Sequence, residues 1–283
     1  MTRYSTLVRP FPALIVALVV AAGQILAPAA TAADRGKLKA FLDITGYDVV
    51  IESLQQGAMA GPGMTGGMPD AFGRQYTRLA EEVFEPTAMV ARALDILEAV
   101  MPDDLVDAGA GLYASDLGQR LVAVENASHM ADDKTKYEEG TALLSDLMRD
   151  KSPRLDLLRA MDAAIDSGDT GRRAVVEIQV RFLIAAMAAG ASDLDMSEED
   201  LRAMLMRQAE ERAPQTEMFG LMSNAWTYRD ISDADLAAYV AALETPEIRG
   251  VYEILNATQF QIMIERYEVL GRRLGELQPE QEL

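Results

Sequence analysis

His129 is the chain's one histidine, and the imidazole is the ordinary side chain that titrates near neutrality. To act as a general base it needs an orienting acid, and Glu125 stands four residues earlier on the presumed helix. Glutamates are frequent here, so the spacing is unspecific, and the commoner place for such a histidine is a surface or half-buried position near a helix end. Met59, Met64 and Met68 form a second grouping, whose soft thioethers suit Cu(I). With 16 methionines in the chain, core filling is their commoner use. Asp193, Asp195 and Ser197 open like a D-x-D-x-S calcium loop, but Glu198 stands where the turn needs glycine and Met204 where a bidentate glutamate belongs. Asp166 to Gly171 has neither the lysine nor the preceding strand of a phosphate-binding loop. No G-x-S-x-G elbow is present. Trp226, Tyr228 and Arg229 are candidate interaction residues, because these types are enriched where protein partners bind most strongly. On sequence grounds no residue is assigned to catalysis, to a cofactor or to a metal.

The inventory narrows the chemistry further. The 283 residues include no cysteine, which removes disulfides, thiolate metal sites and cysteine nucleophiles together. A net charge of −19 argues against a nucleic-acid partner, since that affinity is drawn from clustered Lys and Arg. Residues 1–32 read as a cleavable signal peptide. Arg3 and Arg9 make a basic start, Phe11 to Leu26 supplies an apolar run too short to span a bilayer, and Ala30, Thr31, Ala32 fit the small-residue cleavage pattern. The expected cut lies before Ala33. From Ala33 onward the chain is expected to be a periplasmic protein with no stable membrane anchor, held together by burial alone.

Positioning falls to helices almost throughout. Tyr76, Leu79, Ala80, Val83 and Phe84 share one helical stripe, as do Leu236, Tyr239, Val240 and Leu243, and then Ile248, Val251, Tyr252, Leu255 and Ile262. Val175 to Phe182 alternates as a strand would, yet the apolar run continues through Met187 and Glu177 with Arg181 forms an i, i+4 ion pair, so a buried central helix is expected. Ser115, Ser197, Ser232 and Thr245 stand before acids or proline as N-caps, and Gly57 reads as a helix stop. Ala58 to Asp70, rich in Gly and Pro, is expected to be a loop. The fold class is therefore all-α, a bundle of nine or ten helices. Two similar lobes in tandem are an open alternative, 33–150 and 151–277, followed by a flexible tail at 278–283.

The lobe alternative comes from two stretches. Leu105 to Ala127 and Leu236 to Ala257 each describe a short amphipathic helix, a capped turn (Ser115, Thr245) and a longer helix ending on Asn-Ala. These hairpins, with the opening Leu42 to Asp48, resemble a DUF2059-like module, a domain of unknown function in exported bacterial helical proteins. The motif residues are Tyr113, Ser115, Leu117 and Leu121 in the first hairpin, and Ser232, Tyr239, Thr245, Pro246 and Tyr252 in the second. The first hairpin has Asp116 in place of the module's proline, and the second carries Gly250 one position late. The resemblance implies an exported helical protein and assigns no catalytic residue.

Three functions are then in view. The leading one is a non-catalytic interaction or envelope-associated module, with another envelope protein or a second copy as partner. The others are a carboxylate-dependent hydrolase and a helical carrier of an apolar ligand.

Overall fold

The computed structural model describes residues 33–60, 68–165, 169–192 and 194–277. Among them it has twelve helices and no strand. They are α1 (Arg35–Thr45), α2 (Tyr47–Ala60), α3 (Met68–Val83), α4 (Pro86–Val100), α5 (Asp103–Tyr113), α6 (Asp116–His129), α7 (Asp133–Arg149), α8 (Arg154–Ile165), α9 (Asp169–Ala188), α10 (Glu198–Thr227), α11 (Asp233–Leu243) and α12 (Pro246–Leu274). The all-α reading holds, with slightly more helices than periodicity gave. Residues 1–32, expected to be a signal peptide, and 278–283, expected to be a tail, lie outside the described residues.

The starts follow local chemistry. Ser115 accepts from the Gly118 amide and donates to the Leu112 carbonyl, and Thr245 accepts from Ile248 and donates to Ala242 in the same way. The two hairpins, α5–α6 and α11–α12, therefore turn on one device: a hydroxyl that satisfies an orphan amide of the new helix and a carbonyl of the old one. Ser197 and Ser232 cap α10 and α11 through the Asp200 and Asp235 amides. Arg154, nearly buried at the start of α8, holds the Tyr228 and Ile231 carbonyls at 2.5 and 2.9 Å and pairs with Asp233, which fixes the α10–α11 connection.

One expectation needs correction. Ala58 to Ala60 continue α2 and Met68 to Asp70 begin α3, so helix enters both ends of the segment expected to be a loop, with residues 61–67 outside the description. Gly57, expected to be a stop, lies inside α2. Neither glycine nor proline there outweighs packing: Ala58 is buried, and its carbonyl accepts from the Tyr76 hydroxyl at 3.0 Å.

Burial is organised round α9 and α12, which make the most extensive helix pair. A Cβ on Gly271 would lie 2.4 Å from the Phe182 carbonyl oxygen, and one on Gly275 equally close to that of Ala189, so these glycines let the two backbones touch. The first core joins α1 to α5 with α9 and α12, centred on Phe41, Phe84, Leu97, Phe182 and Leu270. Tyr267 meets both Phe84 and Phe182 edge-on there. The second core takes Leu121, Leu158, Leu221, Leu236, Tyr239 and Leu243 from α6, α8, α10 and α11. Each core draws on residues from both sides of Lys151, and Thr31–Leu283 forms one compact unit. Val175 to Phe182 is helical as expected: Ile178 and Phe182 enter the first core, while Val176 and Val180 face a smaller cluster with Leu201 and Leu205.

Candidate functional site

Where the two hairpins approach α2 and the C-terminal part of α10, a cavity of about 320 Å³ opens between the cores. α6 supplies Glu125, Ser128 and His129 to its wall, and α10 with its C-cap supplies Asn224, Thr227 and Tyr228. Tyr113, Tyr239 and Tyr252 come from the hairpins, and Asn256 and Gln259 from further along α12. Glu125 is the one acid among the described lining residues.

The centre is a hydroxyl network. Tyr228 donates to Glu125 at 2.7 Å. Tyr239 is 3.0 Å from the Tyr113 hydroxyl and 2.8 Å from that of Tyr252, and Tyr113 and Tyr252 close the triangle. Burial pushes the Glu125 carboxyl above its ordinary range, with the neighbouring Tyr228 and Tyr239 hydroxyls pulling the other way. The same burial drives all four phenols well above theirs, so they stay protonated.

The network has four close oxygen pairs and four phenol protons, one for each pair. Tyr228 donates to the Glu125 carboxyl, and Tyr239, Tyr113 and Tyr252 donate in turn round the triangle. The phenols thus complete the network without a proton from Glu125, and it is desolvation that favours the acid form there.

His129 lies one turn beyond Glu125, at the cavity rim, where the imidazole itself is exposed. The protein mass behind it, with Lys136 adding positive charge, lowers its pKa and keeps it neutral. Lys136 donates to the Ser128 carbonyl at 3.2 Å. Ser128 in turn shares a 2.7 Å hydrogen bond with Thr227, which pins α6 against α10.

The opening Leu42 to Asp48 also converges here. Gly46 caps α1 with φ of +70°, and a Cβ there would fall 2.4 Å from Asn126 Oδ1, so glycine serves both the turn and the approach of α6. Tyr47 follows, fully packed, with its hydroxyl on the Leu255 carbonyl at 2.5 Å.

Of the candidate interaction residues, Trp226 and Tyr228 are buried. Trp226 donates to Glu139 at 2.8 Å, and the Arg229 guanidinium lies over the indole, 4.1 Å from its centre. Tyr228 is a member of the Glu125 network. Met59 packs against the first core, while Met64 lies outside the described residues and nothing is described of the Met68 side chain. Ser197 spends its hydroxyl on capping α10 beside Asp200.

Sequence reasoning pairs Glu125 with His129 but misses the tyrosines. Their signal is faint: Tyr113 and Tyr239 precede the caps Ser115 and Thr245 by two and six residues, and Tyr252 comes seven after Thr245. Those offsets show no common face until the hairpins cross. No protein-family model, curated protein or solved structure matches this chain.

Proposed function

We propose that this chain is a non-catalytic helical binding module, exported to the periplasm by residues 1–32, and that its ligand site is the Glu125 cavity. The observation that carries the reading is a single carboxyl, pushed toward its acid form and set beside four phenols, in a cavity also lined by Asn224, Asn256 and Gln259. Such an oxygen-rich lining suits a small molecule bearing a basic nitrogen. On binding, an ammonium group takes the place of the carboxyl proton, and the ionised Glu125 gains the opposite charge that its burial otherwise denies it. Membership of the DUF2059-like class belongs to the same proposal and rests on the hairpin motifs. So does contact with another envelope protein or a second copy, for which Met218 and Phe219 on α10 are exposed apolar side chains. No helix among the described residues is long and apolar enough to cross a membrane.

The test is calorimetric titration of the purified protein with small amines and their matched alcohols. Amines should bind with release of a proton, more tightly as pH rises, and Glu125→Gln should weaken them at least about tenfold, the scale of one charged hydrogen bond. Alcohols binding as well as amines, or an unchanged Glu125→Gln protein, would overturn the reading. One observation favours a hydrolase instead. The neutral acid Glu125 and the neutral base His129 are displaced in opposite directions one helical turn apart, as an acid–base pair would be. Turnover of an ester or glycoside, lost in Glu125→Gln and in His129→Gln alike, would identify that activity.

A further inference from the structure

A second concavity lies behind the Glu125 cavity. It is a groove of about 960 Å³ between α8, α9 and α10, with Phe260 of α12 at its floor. Ile165 belongs to both walls, and the 2.6 Å hydrogen bond from Asn224 to Asp162 stands between the two spaces. The groove is mostly hydrocarbon: Val175, Leu205, Ala209, Ala213 and Leu221 line it with Phe260.

Among the described lining residues the charged groups are Arg159, Arg172 and Arg212, set against Asp162 and Glu217. That is one more arginine than acid in the wall itself, on a chain whose net charge is −19. The arginines also have donors to spare. Arg212 makes no ion pair with a described residue, and Arg159 reaches only the exposed Asp156, at 3.4 Å. Arg172 pairs with Asp169 through one terminal nitrogen while its Nε–H has no acceptor. An unsatisfied guanidinium N–H is costly to keep, and a carboxylate reached by a small turn of that planar fork would satisfy it.

We propose that this groove is a second binding site, separate from the Glu125 cavity, for a single aliphatic chain ending in an anionic oxygen head. The chain lies along α9 and α10, and the head sits between Arg172 and Arg212. The apolar wall supplies affinity by burial, and the guanidinium pair selects the anion over a neutral head of equal length.

The experiment is equilibrium binding to the whole protein of dodecanoate, dodecyl phosphate, dodecanol and dodecyltrimethylammonium, each below its critical micelle concentration. Dodecanoate should bind at least tenfold more tightly than dodecanol or the ammonium compound. Arg172→Gln with Arg212→Gln should abolish that preference without altering dodecanol binding. Arg212→Glu, at an exposed position that leaves folding intact, should weaken dodecanoate at least as much as the double variant does. Dodecyl phosphate binding alongside dodecanoate supports the site and extends it to phosphate-headed lipids, whereas dodecanoate binding alone supports it and restricts it to free acids. Equal affinity for acid and alcohol, arginine variants that bind dodecanoate unchanged, or no binding of either anion would overturn the proposal. Glu125→Gln should leave dodecanoate affinity unchanged, so failure here and failure of the Glu125 site are read separately.

Discussion

Glu125 and His129 show how the same burial moves two neighbouring groups in opposite directions. Desolvation disfavours whichever form carries charge, so it raises the carboxyl and lowers the imidazole. The direction of each shift sets the sign of its effect on stability. Glu125 binds its proton more tightly in the folded chain, so its contribution is complete below the ordinary glutamate range and is lost as pH rises through the raised value. His129 binds its proton less tightly when folded, so stability falls as pH drops through the ordinary imidazole range and below it. Urea unfolding across that span should therefore show Glu125→Gln flattening the alkaline side of the profile and His129→Gln the acid side. Glu125→Ala is a different change: it strands the Tyr228 hydroxyl and should cost about 1–3 kcal/mol at neutral pH. The raised carboxyl is checked by infrared difference spectroscopy as pH rises. The carbonyl stretch of the un-ionised acid should persist above the ordinary glutamate range in the parent protein and be missing from Glu125→Gln, and its loss within that range would refute the shift. The i, i+4 spacing of Glu125 and His129 is readable in the chain, but the four phenols are not, because they come from three separate helices and a helix cap.

At the scale of elements, starts are legible and a stop is not. Ser115, Ser197, Ser232 and Thr245 each cap the helix expected of them, since an N-cap is a bond between residues two or three apart and needs nothing from the rest of the fold. Composition alone makes the Gly-rich loop too long, because propensity there is outweighed by the burial of Ala58 and the Tyr76 hydrogen bond. The α9–α12 crossing depends on two glycines four residues apart. Gly271→Ala places its Cβ against the Phe182 carbonyl, and the helices must part; thermal denaturation should register a loss of about 1–3 kcal/mol. Arg154 does for the α10–α11 connection what the caps do for helix starts. Replacing it with Met removes two hydrogen bonds to carbonyls and the Asp233 pair, and should cost about 2–4 kcal/mol. The same change should loosen Tyr228, measurable as faster amide exchange at residues 228–232.

For the molecule as a whole, the cores are joined by α12, which packs Ile248 and Tyr252 with the second core and Val251, Leu255, Ile262, Leu270 and Leu274 with the first. One continuous helix running through both couples their unfolding. Trp226, the single tryptophan, reports on the side of the Glu125 site, while far-ultraviolet circular dichroism reports on every helix. The two signals should fall together in urea, and two separated transitions would instead mark independent lobes. The linear order of residues already carried the helical class, the cap positions, the absence of any covalent staple and the excess of negative charge. These properties depend on composition and on neighbours a few positions apart, where the geometry of one helix fixes the outcome. Which side chains share a cavity depended on how the helices cross. The Glu125 carboxyl, the phenol triangle and the arginine-lined groove are assembled from residues up to 139 positions apart, at distances set by packed backbones and cores whose match no local pattern encodes.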